Sequence, residues 1–113
     1  MENFASGSNK IIIMNILTID TSGNKVIRVG LKKGNIKDVL EEKIKVHKAQ
    51  STLPLIDKLL KKHELRAKDI NHIEVNTGPG SFTGIRVGMA IANALSFALK
   101  IPVKPREMRR SRV

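Results

Sequence analysis

The sequence predicts an α/β domain built on a mixed sheet, and three observations lead there. Ile11 to Asp20 is nearly continuous in aliphatic and β-branched residues, the pattern of a strand buried on both faces. Two further strand-like segments follow across tight turns. From Ser51 onward the apolar period lengthens from two residues to three and four. The predicted order is βββαβα(β), which places helices on a mixed sheet.

Each element has its own warrant. Thr21-Ser22-Gly23-Asn24 is turn chemistry, and Lys25–Lys33 then alternates, with Ile27, Val29 and Leu31 on one face. A second turn at Lys33-Gly34-Asn35 leads to residues 36–46, read as a third strand and so as the end of an antiparallel meander. Ser51 is the expected cap of a helix over Ser51–Glu64, with Pro54 in its first turn. Its apolar positions Leu53, Ile56, Leu60 and Leu55, Leu59 recur at three and four residues, with Lys58, Lys61 and Lys62 outside. Ile73–Thr77 reads as a short strand. The glycine-rich turn Gly78-Pro79-Gly80 then feeds a long helix over Ser81–Leu99, and Ile101-Pro102-Val103 begins one more strand.

Composition narrows the function classes. The chain has 113 residues, 21 Lys+Arg against 10 Asp+Glu, a net charge of +11 and 41% apolar residues. That suits one small domain. It has no cysteine, which excludes a disulfide scaffold, a thiolate zinc site and a cysteine nucleophile, and agrees with a cytoplasmic location. Aromatics are limited to Phe4, Phe82 and Phe97, a poor supply for stacking single-stranded bases. The longest charge-free apolar stretch, Val87–Leu99, is 13 residues, short for a bilayer, so no membrane association is expected. Five of the last ten residues are basic. This tail is a candidate for weak, salt-sensitive RNA contact, or simply a solvated lysine- and arginine-rich surface.

Two segments carry candidate chemistry. Asp20, Thr21 and Ser22 stand at the exit of the first strand, where a carboxylate and two hydroxyls suit a phosphate or a hydrated cation, or only a strand-ending turn. Gly78, Gly80, Ser81, Thr83 and Gly84 form the strand-to-helix turn, where free N–H groups attract anions. The same residues also suit a plain turn with Ser81 as N-cap. The segment is neither a Walker loop nor GxGxxG. His47, His63 and His72 lie far apart, in no HxxxH or HExxH spacing, so no metal site and no catalytic residue is predicted.

The long helix carries a ridge of small residues, Gly84, Gly88, Ala92 and Ser96, and a second of Ala90, Ala94 and Ala98. Glycine inside a helix costs roughly 0.5–1 kcal/mol relative to alanine. Close approach of another helix is the simplest reason for it. Since large apolar residues fill the other positions, the helix is expected to be covered on nearly all sides, in part by another subunit.

Met14 to Ser22, Leu53 to Leu60, Asp69-Ile70, Gly78-Pro79-Gly80-Ser81-Phe82-Thr83-Gly84-Ile85-Arg86-Val87-Gly88 and Ala98 to Pro102 closely resemble, in type, order and spacing, the bacterial TsaB family of tRNA threonylcarbamoyladenosine biosynthesis proteins. That family is related to the glycoprotease-like M22 group. The resemblance implies the N-terminal lobe of an actin/Hsp70-like ATPase (ASKHA) fold over 14–103, preceded by an extension, 1–13, and followed by a basic tail, 104–113. It implies a non-catalytic subunit of the complex that transfers threonylcarbamoyl to N6 of adenosine 37 in ANN-reading tRNAs. The partners implied are a TsaD-like catalytic subunit and a TsaE-like ATPase, with a homodimer when the partner is absent and tRNA contact indirect or weak. ATP or ADP enters at the level of the complex, with no cofactor of the chain's own. The family's pairing through its two helices places the interface on Leu53, Ile56, Leu60, Gly84, Gly88, Ala92, Asn93 and Ser96. The metal motif of the catalytic relatives is missing, since His47 is followed four positions on by Ser51. The other enzyme class to weigh is a nucleotide-binding M22-like protein with peptidase or ATPase activity.

Overall fold

The computed structural model describes residues 13–44 and 47–108, so expectations for 1–12, 45–46 and 109–113 lie outside the described residues. Five strands form one sheet: β1 (Asn15–Asp20), β2 (Val26–Lys33), β3 (Ile36–Lys43), β4 (His72–Asn76) and β5 (Val103–Arg106). Two helices, α1 (Lys48–Lys62) and α2 (Phe82–Leu99), and a 3-10 turn at Ala67–Asp69 complete the elements.

The spatial order is β3-β2-β1-β4-β5. β1, β2 and β3 are the expected antiparallel meander, with Leu17 opposite Leu31 and Val29 opposite Leu40. β4 joins β1 in parallel, and β5 joins β4 in parallel. β1 is therefore central, which accounts for its unbroken apolar run. β5 takes in Lys104, Pro105 and Arg106, so the sheet extends into the segment expected as tail.

Both helices lie on one face, α1 over β2 and β3 and α2 mainly over β4. Leu17, Ile19, Val29, Ile73 and Val75 point into that layer and are fully buried. Leu55, Ile56, Leu59 and Leu60 of α1 and Ile91 and Ala92 of α2 close it from above. Burying a leucine or isoleucine side chain stabilises by about 1.5–3 kcal/mol, so this layer carries the fold. The opposite face is polar. There Glu74 is 6% exposed and accepts ion pairs from Lys32 Nζ and Arg106 Nη1, each at 3.0 Å. Burial pushes the Glu74 carboxyl up, but Lys32 and then Arg106 outweigh it and hold the group below the usual glutamate range.

The first helix departs from expectation. It begins at Lys48, and Ser51 lies inside it rather than capping it. No side chain caps its start, and Pro54 sits in the second turn, where the exposed Gln50 is the residue whose carbonyl loses a partner. Its far end is tied to β3: Lys62 Nζ and His63 Nε2 reach Asp38 Oδ2 at 2.8 and 2.7 Å. Lys62, and after it His63, lowers the pKa of the Asp38 carboxyl. α2 starts as predicted, with Ser81 as N-cap accepting from the Gly84 N–H, and ends at Lys100 in the left-handed region.

Candidate functional site

The parallel pairing of β1 with β4 brings the two candidate segments to the same end of the sheet. Asp20-Thr21-Ser22 leaves β1 beside the loop that leaves β4, and the two are sewn together. The Ser81 N–H donates to the Ser22 carbonyl at 2.8 Å, and Thr21 Oγ1 donates to the Gly84 carbonyl at 2.5 Å. A β carbon on Gly80 would lie 2.5 Å from Ser22 Cβ, so the loop needs glycine there to close on the strand exit.

The polar groups are largely used within the chain. Asp20 Oδ1 accepts from the Ser22 N–H at 3.0 Å, from Ser22 Oγ at 2.6 Å and from Asn76 Nδ2 at 3.0 Å. Ser81 Oγ accepts from the Gly84 N–H at 3.1 Å. Thr83 is exposed, as are Phe82 and Arg86, whose guanidinium stands 5.6 Å from the Phe82 ring centre. Asp20, Thr21, Ser22, Gly78, Gly80, Ser81 and Gly84 thus come together, and their arrangement is a latch between β1, β4 and α2. Among the described residues no cluster of three or more His, Asp or Glu suited to a metal ion occurs.

Two members of this joint are absent from the sequence reading. Asn76, 1% exposed, is its hub: Nδ2 also donates to Ser22 Oγ, and Oδ1 accepts from the Gly78 and Met108 N–H groups at 2.9 and 3.0 Å. An amide closing a short strand two residues ahead of the glycine turn was the available signal. Lys48 is the other. Its Nζ donates to the Thr21 carbonyl at 3.0 Å, close enough to α2 that a β carbon on Gly84 would lie 2.2 Å from it. A cation in a helix's first turn opposes the macrodipole by typically about 0.3–1 kcal/mol.

The small-residue ridge faces the chain's own sheet. A β carbon on Gly84 would meet the Thr21 carbonyl at 2.2 Å; one on Gly88 would meet Thr21 Oγ1 at 2.5 Å and Val75 Cγ2 at 3.3 Å. Ala92 is fully buried, and Ser96 Oγ bonds the Ile101 carbonyl. The close approach signalled by the glycines is therefore to β1 and β4, which corrects the placing of Gly84, Gly88 and Ala92 on a subunit face. Ile56 and Leu60 likewise belong to the core. Leu53 and Asn93 are exposed.

Nor is α2 covered on nearly all sides. Phe97 is 89% exposed and Phe82 73%, and Ala90, Ala94 and Ala98 are open as well. The whole helix, 18 residues with a mean hydropathy of 1.4, is long and apolar enough to cross a membrane by length and composition, more than its charge-free part alone suggested. Its inner stripe is occupied by the sheet, and its outer stripe is an apolar surface of the lobe.

These features define a class: one lobe of an actin/Hsp70-like ATPase fold, with a glycine latch at the strand exits. The chain superposes on YeaZ from Pseudomonas aeruginosa with a TM-score of 0.76 at 30% identity, covering 83% of this chain and 44% of that one. Residues 25–105 match the family model described as TsaD, tRNA N6-adenosine threonylcarbamoyltransferase, and the chain belongs to that family. Among its relatives are proteins named tRNA threonylcarbamoyladenosine biosynthesis protein TsaB. The one from Buchnera aphidicola subsp. Schizaphis graminum is 40% identical over 88 residues, 78% of this chain and 41% of its own length. The one from Escherichia coli is 32% identical over 90 residues, 80% of this chain and 38% of its own length. The chain spans about two fifths of the length of these relatives.

Proposed function

We propose that the chain serves tRNA threonylcarbamoyladenosine biosynthesis as a docking subunit without catalysis of its own. In this reading its outer helical face holds a TsaD-like catalytic protein, which carries threonylcarbamoyl to N6 of adenosine 37 in ANN-reading tRNAs. A TsaE-like ATPase joins at the level of the complex, and two copies pair when the catalytic protein is absent. The observation that carries the reading is the outer face of α2, where Phe82, Ala90, Ala94 and Phe97 lie exposed beside Asn93, with Leu53 on α1. Apolar surface of this extent on a small domain marks an interaction site. The names of the relatives supply the pathway.

Size-exclusion chromatography with light scattering, on the chain alone and mixed with a TsaD protein, tests this. A one-to-one complex is expected. A chain that keeps its own mass in the mixture overturns the docking role.

A further inference from the structure

We propose that Lys48 is a positioning residue: its ammonium, lodged between the Thr21 carbonyl and the Gly84 backbone, sets how α1 lies against α2 and so shapes their shared outer face. This rests on the docking reading above. A single residue of β1's exit, Thr21, holds both helix starts, its carbonyl taking Lys48 and its hydroxyl taking the Gly84 carbonyl. The ammonium occupies space that a side chain at 84 would fill, and the Thr21 carbonyl bounds the same space, so the glycine admits the lysine. Apart from their direct mutual contact, the helices stand on different strands, α1 on β2, β3 and Asp38, and α2 mainly on β4. The tie at their N-terminal ends adds a fixed point to that contact and so biases their relative angle, and with it the spacing of Leu53 from Asn93. It also explains why α1 begins a turn early, with a cation where its dipole disfavours one.

The chain has no cysteine, so Asp57→Cys and Asn93→Cys, both at exposed positions, give one spin label on each helix. Pulsed electron resonance then reads the distance between α1 and α2 in the full chain, with Lys48→Met and Ile56→Val compared against it. Lys48→Met should shift and broaden that distance and, in the chain without labels, weaken binding to a TsaD protein about tenfold. Ile56→Val, a core change away from the tie, should lower stability while leaving distance and affinity as they were. Lys48→Arg keeps a donor and should restore most of the affinity, which also covers the case in which the methionine variant fails to fold. An unchanged distance in Lys48→Met overturns the proposal, as does a shifted distance with unchanged affinity. If the wild type itself ignores the TsaD protein, the docking reading fails, and the distance still reports on the tie.

Discussion

Thr21 and Gly84, 63 residues apart in the chain, are joined by a hydrogen bond of 2.5 Å from the threonine hydroxyl to the glycine carbonyl. It fixes the first turn of α2 to the end of the central strand, and both groups are buried. Thr21→Val keeps the shape and removes the donor, leaving the Gly84 carbonyl without that partner. The expected loss is about 1–3 kcal/mol, read as a lower urea midpoint at unchanged slope.

Gly88→Ala tests which side of α2 the small ridge serves. The added methyl group meets Thr21 Oγ1 and Val75 inside the domain. Overpacking of this kind typically costs about 1–3 kcal/mol. The variant should lose stability in denaturant and, at a temperature where it is folded, bind a TsaD protein as the wild type does.

Phe97→Glu should do the reverse. The ring is exposed, so its replacement leaves the midpoint of unfolding within about 0.5 kcal/mol of wild type. The charge on the outer face should abolish the complex seen by light scattering. A variant that still binds fully moves the interface off α2.

Acid should loosen the polar face. The Glu74 carboxyl titrates below its ordinary value of 4.5 in the folded chain, so its stabilisation is complete above that value. It is lost as pH falls through the lower folded-state pKa. Stability measured by denaturant at pH 7, 5, 4 and 3 should therefore fall toward acid, and Glu74→Gln should flatten part of that fall.

Titration calorimetry with ATP should give no heat at millimolar nucleotide. The hydroxyls of Thr21, Ser22 and Ser81 are held within the latch, and Gly80 is closed onto Ser22. Heat that disappears in Ser81→Ala would show instead that the loop opens to hold phosphate.

Much of this was legible in the sequence. Leu17 and Ile19 declare their strand by an unbroken apolar run, Val29 declares its own by alternation, and Ser81 declares the start of α2 by its cap. The start of α1 was not legible, because Lys48 is placed by a carbonyl that belongs to another element, while Ser51 offers a locally better cap. The glycine ridge signals a close approach, but the neighbour is the chain's own sheet rather than another helix or subunit. A helix pattern records how near something comes, and only the sheet's order shows that β1 and β4 are what comes near. Asn76 escaped notice for a similar reason: its four hydrogen bonds reach Asp20, Ser22, Gly78 and Met108, which the fold alone assembles.

The strand order also dictates when the latch forms. β1, β2 and β3 are neighbours in sequence and pair through short turns, whereas β4 must find β1 across more than fifty residues, the separation of Asp20 from Asn76. Distant pairings carry the larger loop-closure entropy and come late in folding. The meander is thus expected to form first, and the joint that bears the glycine motif to close after it. By the same ordering it is the first to open. Amide exchange should show this directly, with the Gly84 N–H exchanging through a smaller opening free energy than the Val29 N–H at the centre of the meander.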